Sequence, residues 1–152
     1  MSKIKYLIID VDGVMTTGQF LYSKNGKSYK IFGPHDTDGL NMLRDHLNIF
    51  FVTADKKGFQ ISKRRIVKDL GYKLYLINHM KRYEFIKKFD FKKVIYIGDG
   101  FHDARILKTV KFGIAPRNAR PEAKKSANFV TRSKSGEGAI LDDAIKIKNK
   151  FF

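Results

Sequence analysis

An α/β fold, with a mainly parallel sheet covered by helices, is what this sequence predicts, and three observations carry the prediction. Short apolar runs recur at 4–9, 48–53, 73–76, 93–98, 112–115 and 128–131. The longer of these are nearly continuous in Val, Ile, Leu, Phe and Tyr rather than alternating, the pattern of strands covered on both faces. Between them lie segments whose apolar residues repeat every three or four positions, the spacing of one helix face. Strand and helix in alternation give βαβ units, and so a Rossmann-like three-layer sandwich.

Taken in order, the first run leads from Tyr6 into Asp10-Val11-Asp12-Gly13. The stretch at about 18–33, GQFLYSKNGKSYKIFG, then breaks the rhythm. Its Asn25-Gly26 pair sits between two short runs, which predicts a β-hairpin inserted after strand 1. Residues 39–47 set Leu40, Leu43 and Leu47 on one helical face, and NIFFVT at 48–53 runs into Ala54-Asp55. Helical spacing returns at 59–70 through Ile66, Val67 and Leu70; a short strand at 73–76 follows, with Lys81 opening the next helix. KVIYIG at 93–98 delivers Gly98-Asp99-Gly100, and Asp103 lies four residues beyond Asp99 in a helix lined by Ile106, Leu107 and Val110. Two short strands and a last helix at 138–147, with Ile140, Leu141, Ala144 and Ile145, complete the pattern. A single domain over residues 1–152 is expected, a length at which one core buries roughly 68–70% of the unfolded surface.

Charge is the strongest bulk signal: 31 Lys+Arg against 15 Asp+Glu, net +16, with a pI near 10.0. Such a surface attracts anions. The lysines are scattered in pairs, at 56–57, 87–88, 92–93 and 124–125. Neither an arginine-rich arm nor an RNP-like aromatic signature accompanies them, which argues against a dedicated nucleic-acid site. No apolar stretch approaches the roughly 18 residues of a membrane span. Cysteine is absent, and the N-terminus lacks the apolar run of a secretory signal. A cytoplasmic protein without a membrane partner is expected.

Ligands of an open α/β sheet bind beyond the carboxyl ends of its strands. Those ends carry Asp10 and Asp12, then Thr53, then Asp99, with Asp103 close behind and Lys81 as a nearby cation. Asp10 and Asp12, two apart in extended chain, point to the same side. Their repulsion raises one pKa unless a cation intervenes. Oxygen-only ligands favour magnesium over zinc. One carboxylate is then placed to attack phosphorus while the other exchanges a proton with the leaving oxygen, and Thr53 and Lys81 are placed to hold phosphoryl oxygens. His35 and His102 lack the spacing of a zinc site. Each acid alone has an ordinary explanation as a turn former or helix cap; their order at successive strand ends is what carries weight.

That order, D-x-D-G at 10–13, Thr53, Lys81 and G-D-x-x-x-D at 98–103, resembles the haloacid dehalogenase superfamily of phosphohydrolases over nearly the whole chain. The hairpin after D-x-D-G, the F-x-x-x-D-x-x-G at 32–39 and FVTRSKSGEGAI at 129–140 are similar to its capless group of 3-deoxy-D-manno-octulosonate 8-phosphate phosphatases and relatives acting on nine-carbon sugar acid phosphates. The resemblance implies Asp10 as nucleophile and Asp12 as general acid and base. It implies a Mg2+ held by Asp10, the Asp12 carbonyl and Asp99, with Asp103 supporting from behind those ligands or through water. Thr53, Ala54 and Lys81 would bind phosphate; His35, Asp36 and Asp55 would face the substrate. The implied partners are a small phosphorylated sugar and three further copies of the chain, the hairpin of each lidding a neighbour's site, with no separate cap domain. The group commonly has Gly then Arg or Glu after the threonine and an arginine before the F-x-x-x-D aspartate, where this chain has Ala54-Asp55 and His35.

Overall fold

The computed structural model describes residues 3–152. Six parallel strands form one sheet in the order β5-β4-β1-β6-β7-β8, with β1 Tyr6–Asp10, β4 Asn48–Thr53, β5 Lys73–Leu76, β6 Val94–Ile97, β7 Phe112–Ala115 and β8 Phe129–Val130. Strands β2 Thr16–Ser23 and β3 Gly26–Phe32 make the separate antiparallel hairpin. The expected architecture is therefore present, with the hairpin beginning two residues earlier than its glycine suggests.

β1 lies between β4 and β6, with Ile9 in register with Phe51 on one side and Ile97 on the other. Because successive side chains alternate across a strand, Leu7 and Ile9 join one core and Ile8 joins another. The first core is closed by α1 His35–Leu43 and α6 Ala139–Phe151, which contribute Leu40, Leu43, Ile140, Ala144 and Ile147. Ile66 joins it from the turn that continues α2 Phe59–Lys63. The second core takes Ile86 from α3 His79–Lys87, Ile106 and Leu107 from α4 Ala104–Thr109, and Ala123 from α5 Pro121–Ser126. Two covered faces are why the strands read as unbroken apolar runs.

From β1 the chain winds outward through β4 and β5, then crosses back to β6 and on to β8. That reversal opens a crevice above the carboxyl ends of β1, β4 and β6. At the same level α1 meets α6 closely: a Cβ on Gly39 would collide with the backbone of Ile140 and Leu141. Asp36 reaches from α1 to the start of α6, where its Oδ1 accepts the Ile140 N–H at 3.0 Å. No helix among the described residues is long and apolar enough to cross a membrane.

Candidate active site

The crevice is a cavity of about 470 Å³, lined by residues of the hairpin, the β1, β4 and β6 ends, and α3. β1 stops at Asp10, and the turn Val11–Met15 follows, with Gly13 at φ 82. A Cβ there would run into the Asp99 carboxylate, so glycine allows the β1 turn and the β6 loop to touch. Asp10, Asp99 and Asp103 each offer an oxygen within 4.8 Å of the others. Thr53 Oγ1 lies 3.4 Å from Asp12 Oδ2 and accepts the Asp55 N–H at 3.1 Å. Asp10, Asp12, Ala54, Asp55, Asp99 and Asp103 all line the one cavity.

The acids are held differently. Asp103 is fully engaged: Oδ2 accepts the backbone N–H of Asp99 at 3.1 Å and of Gly100 at 2.8 Å, and Oδ1 accepts the Tyr96 hydroxyl at 2.5 Å. Burial pushes the Asp10 carboxyl well up, with Asp103 and Asp99 adding to the effect and Arg82 opposing it. Burial, then the charge of Asp103, pushes Asp99 up to about 7. Burial and the crowding of like charges act together on these carboxylates.

Three sequence expectations are corrected here. Lys81 does not line the cavity; it is exposed and borders a separate groove with Met80, Glu84 and Lys88. The cation that reaches the acids is its neighbour Arg82, 1% exposed, with Nη1 3.3 Å from both Asp10 Oδ1 and Asp103 Oδ1 and 3.2 Å from the Tyr96 hydroxyl. Burial works against the guanidinium charge, yet Asp10, Tyr96 and Asp103 raise its pKa. Asp36 is buried under the α6 terminus rather than facing a ligand, and His35 is exposed outside the cavity.

Other lining residues carried no motif. Phe20 and Lys27 come from the hairpin, and His79 stacks on His102 with ring centroids 4.9 Å apart. Burial, then Arg82 and His102, lowers the His79 pKa. Only the pairing of α3 with the β6 loop brings that histidine to the site, so periodicity alone had no means of finding it.

Acids gathered at the switch point of a parallel sheet, beside an enclosed guanidinium, equip a phosphate-ester hydrolase. The chain belongs to the haloacid dehalogenase-like hydrolase family, whose model matches residues 19–142. It is 30% identical over 148 positions to the 3-deoxy-D-manno-octulosonate 8-phosphate phosphatase KdsC of Haemophilus influenzae, covering 93% of this chain and 81% of that protein. The Escherichia coli K12 protein of the same name is 28% identical over 153 positions, covering 93% and 77%. Among solved structures, the cobalt-bound phosphatase of this kind from Haemophilus influenzae superposes with a TM-score of 0.81 at 27% identity, covering 97% of this chain and 88% of that one. The Moraxella catarrhalis phosphatase, in complex with magnesium, phosphate and a KDO molecule, superposes at 0.80 with 25% identity, covering 97% and 89%. The expected superfamily and fold are both found.

Proposed function

We propose that this chain is a magnesium-dependent phosphatase of a phosphorylated sugar acid, of the octulosonate 8-phosphate or nonulosonate 9-phosphate type, acting in the cytoplasm through an aspartyl phosphate. The observation that carries this reading is the convergence of Asp10, Asp12, Asp99 and Arg82 on one open cavity. The substrates named for the relatives give the sugar acid.

The donor set fits the metal: oxygens only, with three carboxylates within 4.8 Å, two of them with pKa raised by burial and then by neighbouring acids. Asp10, Asp99 and the Asp12 carbonyl would hold the ion. Asp103, its oxygens already occupied by Tyr96, Arg82 and two backbone N–H groups, would act through water. The ion supplies positive charge against the phosphoryl oxygens. Asp10 is the carboxylate that bonds to phosphorus as the sugar oxygen leaves; Asp12 gives that oxygen its proton and then takes one from the water that cleaves the acyl phosphate. Arg82 and Thr53 take the roles of holding phosphoryl oxygens.

The test is phosphate release from a panel of sugar and sugar acid phosphates, with magnesium and after chelation. Turnover that disappears on chelation and returns with magnesium is expected; turnover indifferent to chelator removes the metal. A homotetramer is part of the reading, supported by Leu21, Tyr22, Tyr29 and Ile31, which stand exposed on the hairpin. A monomer mass in light scattering would remove it.

A further inference from the structure

Lys30, near the inner end of β3, reads from the sequence as a solvated lysine, yet its side chain is 0% exposed. An enclosed ammonium requires an acceptor for each of its three hydrogens. Three groups surround it. Its Nζ donates to Asp12 Oδ2 at 3.1 Å and lies 2.8 Å from Asp12 Oδ1; it donates to Ser62 Oγ at 2.8 Å; and it pairs with Asp55 Oδ2 at 2.8 Å. Two hydrogen bonds and an ion pair with Asp55 thus tie the ammonium to protein groups rather than to a ligand.

Asp55 is itself committed to the protein. Its Oδ1 pairs with Lys27 Nζ at 2.8 Å and accepts the Gly58 N–H at 3.1 Å. Lys27 in turn lies over the Phe20 ring, 3.5 Å from its centroid. Burial alone would raise the Asp55 pKa, but the hydrogen bonds from Lys27, Lys30 and Gly58 hold it down at about 2. A fixed anion at the end of β4 thus anchors two lysines of the hairpin. One of those lysines grips a carboxyl beside the candidate nucleophile, and Asp12 keeps a side chain 19% exposed toward the cavity.

We propose that Lys30, anchored by Asp55 and Ser62, is a positioning residue for Asp12, and that Asp55 serves these lysines rather than the substrate. The inference rests on the phosphatase reading above. It also gives a physical sense to Ala54-Asp55: a short acid fits beneath two lysines arriving from the hairpin.

Leaving groups separate positioning from simple packing. A sugar alkoxide must be protonated as it departs, whereas p-nitrophenolate leaves unaided. Lys30→Met is therefore expected to lower kcat on the best sugar phosphate of the panel about 100-fold, the scale of lost general acid catalysis, with KM changed less than threefold. Its single-turnover release of p-nitrophenol from p-nitrophenyl phosphate is expected to fall less than tenfold. Because Asp12 also assists the water step, a burst of one equivalent should precede a slow steady state. Ser62→Ala, which keeps the lysine and removes one anchor, should show the same pattern more weakly and answers the question if Lys30→Met does not fold. Equal losses on both esters, a KM rise at constant kcat, or no loss would each overturn the positioning role. A wild-type enzyme that hydrolyses neither ester with magnesium would instead sink the phosphatase reading itself.

Discussion

Arg82 reaches Asp10 and Asp103 because of where helix α3 begins. Neighbouring positions on a helix point about 100° apart, so the sequence Lys81-Arg82 does not say which cation faces inward until the helix start is placed. Asn78 sets that start: its side chain accepts the Met80 N–H at 2.8 Å, and α3 begins at His79. Arg82 then falls on the buried side. A guanidinium suits the position because its planar fork can serve two acids and still present donors to a phosphoryl group. Here Nη1 contacts Asp10 and Asp103, while Nε and Nη2 have no partner among the described residues. Arg82→Ala should lower kcat/KM by about 100-fold or more, while Lys81→Ala should stay within twofold of wild type. Equal losses in steady-state kinetics would show that the assignment to Arg82 is misplaced.

Among the elements, α6 shows what spacing reveals and what it conceals. Its apolar positions Ile140 and Ala144 are plain in the sequence and are buried as expected, whereas Ile145, expected on the same face, is 46% exposed and Ile147 is buried in its place. Its cap is not legible, because the acceptor for Ile140 is Asp36, 104 positions earlier in the chain. Asp143, buried on the same helix, has no partner for either carboxyl oxygen among the described residues. Burial, then Asp142 and Asp36, raises its pKa well above the ordinary carboxylate value. A carboxyl whose folded pKa is raised binds more protons folded than unfolded from about pH 4 upward, so it costs stability as pH rises through that window. Asp143→Asn removes the ionisation and should stabilise the protein at pH 7.5 by roughly 1–3 kcal/mol, with a smaller gain at pH 4.5. Denaturant melts at the two pH values check this; an equal effect at both would contradict it. The same limit explains Lys30: a lysine on a hairpin strand is usually solvated, and only the approach of β3 to α2 and β4 encloses it. Strands were easier to read, since burial on both faces leaves a continuous apolar signature, whereas the short helix α5, Pro121–Ser126, offers only Ala123 to the core.

For the whole molecule, the governing fact is topological. A parallel sheet that reverses direction after β5 leaves the ends of β1, β4 and β6 side by side, and every acid that the sequence placed at those ends lines one cavity. The net charge of +16 surrounds that acidic centre with a field that attracts anions. All of this converges on Asp10, the carboxylate that ends the central strand and stands 3.3 Å from Arg82. The most direct measurement is therefore phosphate release from the best sugar phosphate by Asp10→Asn at saturating magnesium. A rate at least 1,000-fold below wild type, in a variant that folds normally, is predicted, because an amide cannot form the acyl phosphate; a rate equal to wild type would contradict the account.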